Sequence, residues 1–271
     1  MRVKVMTYNV LYGFHERTED GFVRRDERAR AALAVIRAEA PDIVAFTEGA
    51  YVTADHRAVM PDLAAMCELP HLAWAGFAGD WGNVLVSRFP IVRHERLPLG
   101  TSPSGVRQSA LRATIDVGGC ALHVDVVHPS PSIPEADRVA AFAPLLASIE
   151  APYVMLGDFN ALCDLDDYTH EALVAQMHAY RGDAAAVATK MLDRRLLAST
   201  RAAGLVDTLP VEQRTHTIPT PLVRVGTQGA RLRIDYILTT PDVRASDARV
   251  VRSPDADQAS DHYPVVAVID V

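Results

Sequence analysis

Short runs rich in Val and Ile, closed by Gly, Pro or Asn and alternating with helical stretches, constrain this chain more than any other feature. They lie at Val3 to Thr7, Ile43 to Phe46, Val84 to Ser87, Leu111 to Val117, Leu122 to Val127, Tyr153 to Leu156, Leu232 to Leu238, Val250 to Arg252 and Pro264 to Ile269. Runs of this length and composition, bounded by turn residues, read as strands. Between them Ala29, Leu33, Ile36 and Ala40 recur at helical spacing up to Pro41, and Ala140 to Leu146 do the same before Pro152. The pattern predicts a mixed α/β chain of roughly ten strands.

Polar clusters mark the ends of several of these runs. Asn9 follows the first, Glu48 the second, and Asp158 and Asn160 follow Tyr153 to Leu156; Asp235 lies inside Leu232 to Leu238, and Ser260-Asp261-His262 precedes the last. Each has a plain structural reading: an Asx turn for Asp158 and Asn160, a cap or turn with a surface histidine for Asp261 and His262, a solvated carboxylate for Glu48. Acidic, amide and imidazole groups delivered from separate strand ends can also converge on one point, and that makes a metal-assisted hydrolase site.

No Pro/Gly/Ser-rich linker divides the 271 residues, and a two-domain cut would separate Asp158 from Asp235. One domain spanning 1–271 is therefore expected. Tyr168 to Gly204, rich in Ala, Leu, Met and Arg and free of proline, reads as one or two helices inserted near the site. Thr215 to Gly229 reads as a loop that enters the Asp235 strand and closes over substrate. The formal charge of -7 argues against a broad basic face for a polyanion, though a local patch can still grip a few phosphates. The start of the chain lacks a basic segment followed by an apolar one, and no apolar run approaches the ~20 residues of a membrane span, which predicts neither signal peptide nor stable membrane insertion. Cys67, Cys120 and Cys163 are odd in number and lack zinc-ligand spacing, which suits reduced thiols in a cytoplasmic protein.

Taken in order, Thr7-Tyr8-Asn9, Pro41 to Glu48, Gly82 to Ile91, Val126-Val127-His128, Gly157-Asp158-Phe159-Asn160, Arg233 to Leu238 and Ser260 to Val265 resemble the motifs of the endonuclease/exonuclease/phosphatase superfamily. That superfamily includes exonuclease III-like enzymes, pancreatic-type DNases, neutral sphingomyelinases and inositol polyphosphate 5-phosphatases. The resemblance implies a DNase I-like fold, a four-layer α/β/β/α sandwich of two packed mixed sheets with its site on one rim, here with a helical insertion at about 168–204. It implies metal ligation by Asn9, Glu48 and Asp261. Their oxygen donors suit Mg²⁺, with Mn²⁺ as its substitute. It further implies His262 as general base or transition-state partner, Asp235 as the carboxylate that orients it, Asp158 on the attacking water, Asn160 and His128 on phosphate or leaving oxygens, and Arg107 as a phosphate contact.

The expected reaction is hydrolysis of a phosphoester, as a phosphodiesterase or phosphatase, by in-line attack of activated water. The substrate is a phosphorylated small molecule, a lipid headgroup or a nucleic acid, and no protein partner is inferable. Arg233-Ile234-Asp235-Tyr236 stands where inositol polyphosphate 5-phosphatases carry Trp-Cys-Asp-Arg, and Val10 to Phe14 departs from the abasic-site endonuclease pattern after the first asparagine. The alternatives are a DNA nuclease or abasic-site endonuclease of the same superfamily, and a catalytically silent binding protein on this scaffold.

Overall fold

The computed structural model describes residues 1–19, 21–55, 57–223 and 229–271. Its strands in chain order are β1 (Arg2–Asn9), β2 (His15–Thr18), β3 (Gly21–Arg24), β4 (Ile43–Val52), β5 (Ala58–Val59), β6 (His71–Ala75), β7 (Trp81–Ser87), β8 (Ile91–Thr101), β9 (Arg107–Val117), β10 (Cys120–Val127), β11 (Tyr153–Asp158), β12 (Val206–Asp207), β13 (Asp235–Thr239), β14 (Arg244–Val250) and β15 (Val265–Asp270). The α-helices are α1 (Asp26–Glu39), α2 (Leu63–Cys67), α3 (Glu135–Ala147), α4 (His170–Gln176), α5 (Ala184–Met191), α6 (Arg195–Ala202) and α7 (Ala256–Ala259). Residues 224–228, within the loop expected to close over substrate, lie outside the described residues.

Two mixed sheets carry the fold. The first runs β14-β15-β1-β4-β7-β6 with β5 beside β4, and the second runs β12-β13-β11-β10-β9-β8. Each contains one parallel pair, β1 with β4 and β10 with β11. A parallel pair cannot be joined by a hairpin and needs a crossover. Helix α1 supplies the first crossover, and α3 supplies the second.

Alternation along the strands of the second sheet divides its side chains between two cores. Leu122, Val124, Val126, Val154, Leu156 and Ile237 point into one cluster with Val3, Val5 and Phe46 of the first sheet. Val127, Tyr153, Met155, Tyr236 and Leu238 point the other way, onto Phe142 and Leu145 of α3 and Leu196 and Leu197 of α6. Strands alternate faces with period two, so both groups are obligatory once one is buried. The result is the α/β/β/α layering, with α1 on the outer face of the first sheet.

Several strands differ from the runs read in the sequence. β13 begins at Asp235 because Leu232 forms an isolated bridge to Ile218 and Arg233 turns into a buried ion-pair network. The strand expected at Val250 to Arg252 occupies Arg244–Val250, an edge strand whose first four residues are exposed and so show no apolar alternation. β8, also at an edge, and the exposed hairpin β2–β3 escape notice for the same reason. Three short helices, α4, α5 and α6, stand where one or two were expected. Among the described residues no helix is long and apolar enough to cross a membrane.

Candidate active site

The inward alternation of the second sheet does not stop where its apolar residues do. Leu122, Val124 and Val126 are followed at the same parity by His128, Val154 and Leu156 by Asp158, and Ile237 is preceded by Asp235. Asp158 and Asp235 sit directly opposite each other in the antiparallel β11–β13 register. Across the gap between the sheets, Asn9 closes β1 and its Nδ2 donates to Asp158 Oδ2 at 3.1 Å and to Glu48 Oε1 at 3.3 Å.

Glu48 reaches this point through a bulge. The register of β4 against β7 shifts between Phe46 and Ala50, and Glu48 has φ of 56°, a left-handed conformation that re-aims the side chain. Its Oε2 accepts from the Tyr12 backbone N–H at 2.8 Å. Tyr12 belongs to a left-handed turn in which Leu11, Tyr12, Gly13 and Phe14 have φ of 41°, 55°, 57° and 66°. Such a turn costs on the order of 1–2 kcal/mol per non-Gly residue and persists only where its surroundings over-determine it.

His262 and Asp235 form the tightest side-chain contact of the site, Nδ1 to Oδ2 at 2.8 Å. His262 Nε2 then points toward Asp158 Oδ2 at 3.8 Å, and His128 Nε2 approaches the same oxygen at 3.5 Å. Burial opposes charging of His262, but Asp235, Asp261 and Asp158 outweigh it and hold the imidazole well above its ordinary range. His128 behaves alike: burial lowers it, while the bond to Asp158 and the charges of Asp158, Glu48 and Asp80 raise it to about 9. Burial raises the Asp158 carboxyl, yet the two histidines and the Asn160 N–H bring it below its usual value.

Asn160 is left-handed at φ of 47° and its N–H donates to Asp158 Oδ1 at 2.8 Å. The Asx turn and the site are therefore the same object here. The Asp261 carboxylate accepts from Ser260 Oγ at 3.3 Å. Its field and that of Glu48 both act on Tyr12 and Arg28, which places the two acids around the same turn. Arg107 stands apart, stacked on the Phe77 ring at 4.2 Å at the start of β9, and none of its contacts reaches the other candidates.

The donor set fits a hard divalent cation. Among the described residues no lysine or arginine pairs with Glu48, Asp158, Asp235 or Asp261; the two histidines pair with the first three. Glu48, Asp261 and Asn9 offer carboxylate and amide oxygens without sulfur, the ligand type Mg²⁺ takes. Asp158, Asp235 and His262 also lie close enough to share an ion, but His262 Nδ1 is already engaged by Asp235 at 2.8 Å, and its Nε2 faces Asp158 at 3.8 Å without a hydrogen bond.

Sequence reasoning passed over Arg28. It lies one turn before Ala32 on the buried face of α1 and is 5% exposed. Its guanidinium donates to the carbonyls of Ala259, His15, Val10 and Leu11 at 2.9–3.2 Å. It thus ties the turn after Asn9 to the segment before Asp261. An arginine in register with Ala29, Ala32, Val35 and Ile36 was the available signal. Arg233, read in the sequence only as part of its motif, is a second buried arginine, with Asp166 on Nε at 2.7 Å and Asp207 on Nη1 at 2.6 Å, and it fixes the entry into β13.

A model of the endonuclease/exonuclease/phosphatase family matches residues 6–262. Among solved structures, an endonuclease/exonuclease/phosphatase from Beutenbergia cavernae is 24% identical with a TM-score of 0.69, over 100% of this chain and 72% of that one. An AP endonuclease from Archaeoglobus fulgidus is 19% identical with a TM-score of 0.68, covering 99% of this chain and 100% of its own. The 3′ phosphatase NExo from Neisseria, bound to a product DNA hairpin, is 22% identical with a TM-score of 0.64, over 99% of this chain and 100% of that chain. No curated protein matches the sequence.

Proposed function

The chain belongs to the endonuclease/exonuclease/phosphatase family, and on that premise we propose that it is a divalent-metal-dependent hydrolase that cleaves a phosphoester by direct in-line attack of water. The observation that carries the proposal is the buried His262–Asp235 pair at 2.8 Å, set beside Asp158 on a rim whose carboxylates have no basic side chain but histidine among the described residues. Asn9, Glu48 and Asp261 would hold Mg²⁺ or Mn²⁺, which when bound supplies Lewis-acid polarisation of the phosphoryl oxygen.

Asp235 fixes the ring orientation of His262 and leaves Nε2 facing the reaction space. Charged, His262 and His128 stabilise negative charge developing on the phosphoryl oxygens. Asp158, kept ionised by the same histidines, accepts a hydrogen bond from the attacking water and orients it. Asn160 Nδ2, now on the Pro129 carbonyl at 3.3 Å, is placed to turn toward a phosphate oxygen. No covalent phospho-enzyme is required. Arg107 would contact phosphate only for a substrate long enough to extend toward Phe77.

Hydrolysis of bis(4-nitrophenyl) phosphate or 4-nitrophenyl phosphate is expected with Mg²⁺ or Mn²⁺, lost in EDTA and restored by either metal. His262→Ala lowers turnover by ~10²-fold or more with the circular dichroism spectrum retained. Full activity in chelator would sink the mechanism. A DNA nuclease is the second reading, supported by the DNA-bound fold neighbour from Neisseria. Preference for a DNA oligonucleotide over both nitrophenyl esters would select it.

A further inference from the structure

A cavity of about 660 Å³ opens beside Asn160, within the range that holds a small organic ligand. Its apolar lining includes Leu162, Ile218, Leu232 and Ile234, with Val187 and Met191 of α5. Asn160 lines this cavity and also bonds Asp158. Asn160 therefore joins the cavity to the rim where the scissile phosphate is proposed to sit.

Most polar side chains of the wall are already committed. Glu135 pairs with Arg138 at 2.8 Å and accepts the Leu196 N–H at 2.8 Å. Thr189 donates to Ala185 O, Ser132 is bonded to Ser130, and Asp193 to Arg195. A sugar or nucleobase placed here could pair with Arg138 Nε and Lys190 but would leave most of its own donors unpaired, at a cost of about 1–3 kcal/mol per buried group. A hydrocarbon would not. Lys190, exposed on the same wall, adds a positive charge suited to a substrate that is anionic at one end.

We infer that this cavity is a substrate subsite for an apolar substituent, so that the preferred substrate is a phosphoester with a hydrocarbon group on the phosphate. The inference rests on the hydrolase reading for its catalytic part, while the binding part is independent of turnover. The helix that closes the cavity, α5, belongs to the excursion between the Asp158 and Asp235 strands.

Two measurements separate the claims. Calorimetric titration of methyl, butyl and octyl phosphate into the full chain tests the cavity without chemistry, and octyl phosphate should bind at least about tenfold tighter than methyl phosphate. Equal affinities overturn the subsite whether or not the protein is a hydrolase. Turnover of 4-nitrophenyl alkyl phosphodiesters should rise in kcat/KM along the same series and exceed that of thymidine 5′-(4-nitrophenyl) phosphate. Preference for the thymidine ester overturns the subsite, and a chain that binds octyl phosphate but cleaves none of the esters overturns the hydrolase reading alone. Val187→Asp should bring the octyl-to-methyl ratio in affinity toward one, and Val187→Trp should shift the optimum to shorter chains. Unaltered ratios in folded Val187→Trp would overturn the assignment of this cavity.

Discussion

Arg28 spends its donors on main-chain oxygens, and this explains how a run of left-handed residues survives next to Asn9. Without the guanidinium, the carbonyls of Val10, Leu11, His15 and Ala259 lose their buried donor, and the strained turn is free to relax. Arg28→Lys is expected to fold, since the charge remains, but to bind Mn²⁺ about tenfold more weakly in a calorimetric titration, as loss of supporting contacts does elsewhere. Unchanged affinity would reduce Arg28 to a packing residue. Asp80 gives a pH-dependent counterpart. Burial, opposed by His128, lifts its carboxyl from 3.8 to about 6. The native chain therefore holds this proton more tightly than the unfolded chain, and the associated stability is complete below pH 3.8 and lost as pH rises through about 6. Asp80→Asn removes that loss. Its stability relative to wild type should climb by about 1 kcal/mol, discounted for partial exposure, between about pH 4 and about pH 7, as read by denaturant unfolding; a flat difference contradicts burial as the cause. The residues legible in the sequence were those whose polarity interrupts an apolar alternation, such as Asp158 and His128. Arg28 was not, because on a helix a lone arginine reads as solvated until its phase against Ala32 and Val35 is considered.

The excursion between β11 and β13 separates into parts with different duties. Helix α6 places Leu196 and Leu197 in the core beneath the second sheet with Phe142 and Tyr236, whereas α4 and α5 gather around Leu162, Leu173, Met177 and Ala188 in a smaller cluster with Leu232 and Ile234. Leu196→Ala should destabilise the whole protein by ~2–5 kcal/mol in denaturant unfolding. Replacing 170–191 with a Gly/Ser bridge should leave a cooperative transition near the original midpoint. Collapse of the fold on that replacement would make α4 and α5 part of the main core. Composition identifies this stretch as helical but does not divide it, since Ala-rich helices look alike whether they cover a sheet or a cavity. Edge strands were lost for the opposite reason: β8 and β14 expose most of their residues, so their sequences carry only a short buried face, Leu97 and Leu99 in one and Ala248 and Val250 in the other.

Seen whole, the molecule is two sheets whose shared rim gathers side chains from positions as distant in sequence as Asn9 and His262. The ordered conjunction of short motifs made this architecture legible, because no periodicity reveals which sheet a strand joins. The cavity beside Asn160 was not legible, as its wall is assembled from Leu162, Val187, Ile218 and Leu232, each an ordinary apolar residue in its own segment. β1 lies inside the first sheet, flanked by β4 and by β15, with Thr7 opposite Val265 and Arg2 opposite Asp270. Pairings that span so much of the chain form late. While this polypeptide is being translated, β1 waits with one edge unfilled and the segment bearing Asp261 and His262 does not yet exist. Whatever reaction the rim performs, a nascent chain lacks it until residues 261 and 262 have emerged, and a message cut short before the β15 codons leaves β1, with Asn9 at its end, as an open edge of the first sheet.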